Sequence, residues 1–168
     1  YKQKIIKHTD VLDRHSMEIG AVNCISIGTK VKGTNTDWKG YYKTLPKIKN
    51  IKEKKIILLG YGGASLAIHY LLKSKGFKDV TIFNRTKKKL RFEKKIKNTL
   101  NMAGLNKHLP SADLIINTTP VNPISFKIKK LIDEKTWLSD IVYKPKETKF
   151  LKAFPNNNKI YGISMLLE

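Results

Sequence analysis

One cysteine in 168 residues, Cys24, leaves nothing for an intrachain disulfide to join, which excludes a disulfide-stapled scaffold. Long apolar runs are absent: stretches such as Ile56-Ile-Leu-Leu59 are a strand's length, far short of the ~18 residues a membrane span needs. Nor does a basic n-region with an apolar h-region open the chain, so the sequence predicts a soluble protein of the reducing cytoplasm with no membrane partner. Acids are scarce, 13 Asp and Glu against 34 Lys and Arg, for a net charge of +21. Arginine is scarcer still. Only Arg14, Arg85 and Arg91 occur, and the remaining basic residues are lysines spread over the whole length. Base and phosphate recognition favours arginine's planar fork in a clustered stripe, so dispersed lysine predicts a solvated surface and no nucleic-acid partner. His8, His15, His69 and His108 lack metal-ligand spacing, and no metal is expected. At this length roughly 70% of the unfolded surface can be buried, enough for one domain or one domain and part of a second.

The periodicity divides the chain. Ile5, Ile6, Leu12, Met17 and Ile19 recur at loosely helical spacing until Gly20, which predicts a helical stretch from Lys2 to Glu18. Val22 to Ile27 and Lys30 to Gly33 are β-type runs flanking Gly28-Thr29, a tight hairpin turn. Asn35-Thr36-Asp37 then caps a helix through Trp38, Tyr41, Tyr42 and Leu45, and on position alone Asp37 is its N-cap. Pro46 and the lysines up to Lys55 make the best boundary visible in composition. Beyond it, strands at Lys55–Leu59, Asp79–Phe83, Asp113–Asn117 and Trp137–Val142 alternate with helical segments, including a very basic helix after Thr86. That alternation predicts an α/β fold with a doubly wound parallel sheet.

Two features carry chemistry. Gly60-Tyr-Gly-Gly-Ala-Ser65 follows a buried strand and opens a helix, where a dinucleotide fold needs backbone N–H groups near a pyrophosphate. Ser65 stands in place of a third glycine but is small enough for close helix packing. At the end of the next strand the acid that would hold the ribose 2′-OH of NAD is missing; Asn84, Arg85 and Thr86 stand there instead, which selects the 2′-phosphorylated cofactor, NADP. Arg85 is the better candidate for the phosphate, whereas Lys88 and Lys89 are expected to belong to the solvated surface.

With Gly20-Ala-Val-Asn23, Asn35-Thr-Asp37 and Gly40, Asn117-Thr-Thr-Pro120, Asp140-Ile-Val-Tyr143-Lys-Pro with Thr148, and Gly162 with Met165, the chain resembles the shikimate dehydrogenase family from end to end. The resemblance implies a Rossmann-like NADP domain at 38–161, the end of an α/β substrate domain at 1–37, and a helix returning to it from 162. It also implies reversible reduction of 3-dehydroshikimate to shikimate in aromatic amino-acid biosynthesis, by a monomer or homodimer. Alternatives are a quinate/shikimate dehydrogenase of broader range and a non-catalytic NADP-binding member. The implied roles are catalysis for Lys2 and Asp37 and substrate contact for Asn23 and Tyr143. Cofactor contact falls to Gly60, Gly62, Gly63, Ala64, Asn84, Arg85, Thr86, Thr118, Gly162 and Met165. Tyr61, in place of a small residue, and Asn122-Pro123, in place of Gly-Met, depart from the family pattern. The stretch from Arg91 to Pro110 looks too short for the extra strand and helix many members carry. Tyr1 in place of Met, and an uncapped apolar run from Ser164 to Glu168, give the expectation that both ends are cut, leaving the substrate-carboxylate clamp and a substrate-binding Gln outside the chain.

Overall fold

The computed structural model describes residues 1–47, 49–93 and 97–166. The chain opens with a short 3-10 turn, Lys4–His8, then β1 (Val11–Leu12) and α1 (Arg14–Ile19). The single helical stretch expected from Lys2 to Glu18 is therefore broken. Asp10 diverts the backbone, its N–H donating to Val31 O (2.8 Å) and its carboxylate accepting from Val31 N (2.7 Å). Asp13 then starts a new helix by accepting from Ser16 N at 3.0 Å, and Gly20 ends it in the left-handed region at φ 70°.

β2 (Cys24–Ile27) and β3 (Val31–Thr34) form the expected hairpin, but Ile27 pairs with Val31, so three residues rather than two connect them. β1 joins β3 in parallel, giving a three-stranded sheet in the order β1-β3-β2. α2 (Asp37–Thr44) follows.

The second sheet has six strands: β4 (Lys55–Leu59), β5 (Asp79–Asn84), β6 (Leu100–Asn101), β7 (Leu114–Asn117), β8 (Trp137–Asp140) and β9 (Lys159–Tyr161). All its pairings are parallel and the order is β6-β5-β4-β7-β8-β9, the doubly wound arrangement whose ligand crevice lies at the carboxyl ends beside the first strand. The helices that follow the glycine turn, β7 and β8 are α3 (Gly63–Ser74), α4 (Phe126–Lys129) and α5 (Lys149–Lys152). β4 shows why its apolar run has to be continuous. Ile56 and Leu58 pack with Ile68, Leu71 and Leu72 of α3 on one face, while Ile57 and Leu59 pack with Phe83, Leu138 and Phe150 on the other.

The basic helix expected after Thr86 is absent among the described residues. Thr99 N donates to Lys88 O at 2.8 Å, Lys88 N donates to Thr99 Oγ1 at 3.0 Å, and Leu90 N reaches Lys97 O at 2.8 Å, so the chain doubles back on itself. Lys87, Lys88 and Lys89 are exposed and Leu90 alone is buried there, too little apolar surface to hold a helix against the sheet. The stretch judged too short still supplies β6, and β9 adds a strand that the periodicity did not show.

Candidate functional site

The glycine turn leaves β4 at the carboxyl edge of the sheet. Gly60 has φ 96°, and a Cβ there would sit 2.8 Å from both Thr118 Oγ1 and Thr119 Cγ2, so only glycine fits. Thr118 is held in turn by donating its hydroxyl to Leu59 O at 2.7 Å. Ser65 is buried and turns its hydroxyl back to Gly60 O at 2.8 Å, which explains why a third glycine is unnecessary. Gly62 is the N-cap of α3 and offers no side chain to the first-turn N–H groups; beside it a Cβ would meet nothing within 4 Å. That opening fits a pyrophosphate, whose oxygens accept what the missing cap leaves free.

At the end of β5, Asn84 Oδ1 accepts from Tyr61 N at 3.2 Å and its amide donates to Thr86 O at 2.7 Å, tying the glycine turn to the loop that follows β5. Arg85 and Thr86 lie exposed on the rim, outside the central cleft. Lys88, expected to be mere surface, donates its ammonium to Tyr61 O at 3.2 Å.

Across the cleft, the N-terminal segment lies against α3 so closely that a Cβ on Gly63 would be 2.7 Å from Lys2 Cβ. Lys2 Nζ donates to Asp37 Oδ2, and Asp37 Oδ1 accepts from Asn23 Nδ2 at 2.7 Å. Asp37 is 5% exposed and Lys2 38%, so a buried carboxylate holds an ammonium that still reaches solvent. Asn35 braces the pair by donating to Ala21 O at 2.8 Å and accepting from Asp37 N at 3.1 Å. The helix-cap role expected of Asp37 is corrected here. Thr36 is the N-cap residue, without a side-chain capping bond, and the Asp37 oxygens serve Lys2 and Asn23 instead.

Lys2, Asp37, Ala64, Thr118, Tyr143 and Met165 line one cleft of about 520 Å³. Gly162 does not line it. It packs behind, where a Cβ would be 2.5 Å from Ile141 O. Asn117, Asp140 and Thr148 belong to the motifs that carry the resemblance, with no role implied for them in the sequence. They form a buried link between the loops after β7 and β8, with Asp140 Oδ2 accepting from Thr148 Oγ1 (2.7 Å) and Asn117 Nδ2 (3.2 Å), and Oδ1 from Val142 N (3.0 Å). Burial pushes the Asp140 carboxyl upward against these bonds. The visible signal was an Asn and an Asp closing adjacent apolar strands; their pairing, Asn117 with Asp140, needed the register.

Beneath the turn, His69 is fully buried, with Nδ1 3.1 Å from the Tyr61 hydroxyl and Nε2 3.5 Å from Glu93 Oε1. Burial lowers its pKa to about 4, outweighing the pull of the Glu93 carboxylate. The unfolded chain takes up a proton near pH 6.5 that the folded chain refuses, so stability falls as pH drops below that value. Between pH 7.5 and 4.5 the loss through this group is roughly 2–3 kcal/mol. Melting curves across that range should fall more steeply for the wild type than for His69→Asn, and parallel curves would contradict the assignment.

The model of the family described as shikimate / quinate 5-dehydrogenase matches residues 43–149. A shikimate dehydrogenase (NADP(+)) of Clostridium botulinum is 35% identical over 99% of this chain and 68% of its own length, and one of Oceanobacillus iheyensis is 36% identical over 99% and 65%. The crystal structure of shikimate dehydrogenase 1 from Peptoclostridium difficile is 31% identical with a TM-score of 0.85, covering 99% of this chain and 64% of that one. The chain thus spans about two thirds of the length of these relatives, and across that span it belongs to the shikimate/quinate 5-dehydrogenase family.

Proposed function

We propose that this chain forms the cofactor crevice and the acid/base pair of an NADP-dependent shikimate dehydrogenase, which reversibly reduces 3-dehydroshikimate to shikimate. One observation carries the proposal: the Lys2–Asp37 pair opens into the same cleft as Ala64 of the uncapped α3 N-terminus. Relatives named shikimate dehydrogenase (NADP(+)) support this substrate over quinate. In this reading residues 1–37 end the substrate domain, 38–161 form the NADP domain, and 162 onward returns toward the substrate side. The enzyme is cytoplasmic, a monomer or homodimer, and its partners are small molecules rather than nucleic acid or membrane. Among the described residues no helix is long and apolar enough to cross a membrane.

NADPH, when bound, supplies the hydride. Gly60, Gly62, Gly63 and Ala64 would hold its pyrophosphate, Asn84, Arg85 and Thr86 its 2′-phosphate and adenosine, and Thr118 and Met165 would face the nicotinamide end, with Gly162 packed behind it. As negative charge grows on the ring carbonyl oxygen, the Lys2 ammonium stabilises it and delivers the proton, while Asp37 keeps that ammonium aimed into the cleft. Asn23 and Tyr143 orient the substrate hydroxyls, Asn23 being already fixed by its bond to Asp37.

Reduction of NADP by shikimate, with quinate as the comparison, tests the activity; oxidation of quinate at an equal rate would replace the substrate. Arg85 tests the cofactor. Arg85→Ala should weaken NADPH binding about 10-fold or more, the loss of a charge-assisted phosphate contact, and leave NADH binding nearly unchanged. Equal losses for both cofactors in a titration would refute the 2′-phosphate role.

A further inference from the structure

We infer that Tyr61 is a positioning residue that sets the preference for the 2′-phosphorylated cofactor, by anchoring the loop that carries Arg85. The inference rests on the NADP reading above and concerns a residue outside the phosphate contacts themselves.

Tyr61 touches that loop at its beginning, middle and end. Its N–H donates to Asn84 Oδ1 at 3.2 Å, its carbonyl accepts from Lys88 Nζ at 3.2 Å, and its hydroxyl accepts from Arg91 N at 2.9 Å. The ring is 6% exposed, so the hydroxyl is fixed by the core rather than by solvent. Because Arg91 N–H points at the phenol oxygen, the phenol hydrogen is free to go to His69 Nδ1, 3.1 Å away. This places the imidazole proton on Nε2, toward Glu93, which Lys73 Nζ holds at 2.9 Å. The far end of the loop is tied independently, since the Arg91 guanidinium donates to Glu18 O at 3.0 Å and Met17 O at 3.2 Å.

Arg85 is exposed and sits between the first two anchors. Ordering an exposed arginine onto a phosphate costs conformational entropy, and a loop already held in place pays less of it. A glycine turn with a small residue at this position could supply the two backbone bonds but not the phenol bond to Arg91.

Tyr61→Phe keeps the ring and both backbone bonds, and removes the two bonds of the hydroxyl, the one from Arg91 N and the one to His69 Nδ1. On the 168-residue chain, calorimetric titration should show NADPH binding weakened about 3- to 10-fold and NADH binding changed less than about 2-fold. Without cofactor, the Arg91 amide should exchange with solvent faster than in the wild type. An unchanged NADPH-to-NADH ratio, whether both affinities fall together or neither moves, overturns the inference while leaving the cofactor reading intact. A wild-type chain with no preference for NADPH overturns the cofactor reading, and this inference with it.

Discussion

Replacing Lys2 by Met should lower kcat for shikimate oxidation by about 10²- to 10⁴-fold, the range for loss of a positioned group that is general base in oxidation and general acid in reduction, and leave NADPH affinity within about 2-fold. The measurement belongs in protein that carries this chain with the further length its relatives have. Methionine preserves the unbranched stem that lies against Gly63, so the packing between the N-terminal segment and α3 survives while the ammonium is lost. The internal control is Lys4, two residues on, exposed in the 3-10 turn Lys4–His8. Lys4→Met should change neither constant. A Lys2→Met protein at full speed would mean that the proton comes from elsewhere.

Asp37→Asn should also depress kcat, by about 10²-fold or more, with KM for the cofactor little changed. Its two oxygens accept from two donors, Lys2 Nζ and Asn23 Nδ2, and an amide can accept from only one of them. Either Lys2 loses its hold or Asn23 loses its bond to residue 37 while keeping those to Thr36 Oγ1 (3.0 Å) and from Thr36 N (2.9 Å), a stability cost of about 0.5–1.5 kcal/mol. A helix cap would behave differently. It predicts about 1 kcal/mol of lost stability with catalysis intact. A destabilised but fully active Asp37→Asn enzyme would restore the cap reading against the geometry.

How far the residues alone reach depends on where each structural cause lies. β4, β5, β7 and β8 were legible because both faces of a doubly wound sheet are covered, which demands continuous runs such as Lys55–Leu59, and because Gly, Asn and Thr punctuate their ends. β9 was not. It spans Lys159–Tyr161 at the sheet's edge and buries only Ile160, so no pattern of its own marks it. The supposed basic helix failed for a tertiary reason, the pairing of Lys88 with Thr99 eleven residues on. In the site, Gly60 to Ser65 could be recognised from local chemistry. Lys2 is one lysine among many and was visible only through family resemblance; what distinguishes it physically is Asp37, 35 residues away. Tyr61 looked like a departure from pattern, and its task appears only once Arg91 and His69 are brought beneath the turn.

The central claim is that Lys2 and Asp37 act as one unit at the reacting end of an NADP crevice. The most direct test is kcat for shikimate oxidation by four proteins, wild type, Lys2→Met, Asp37→Asn and the double variant, with NADPH affinity measured on each. Groups that act together are not additive, so the double variant should be no more than about 10-fold slower than Lys2→Met alone, with cofactor affinity preserved throughout. A double variant slowed by the full product of the two single losses would show independent roles and contradict the account.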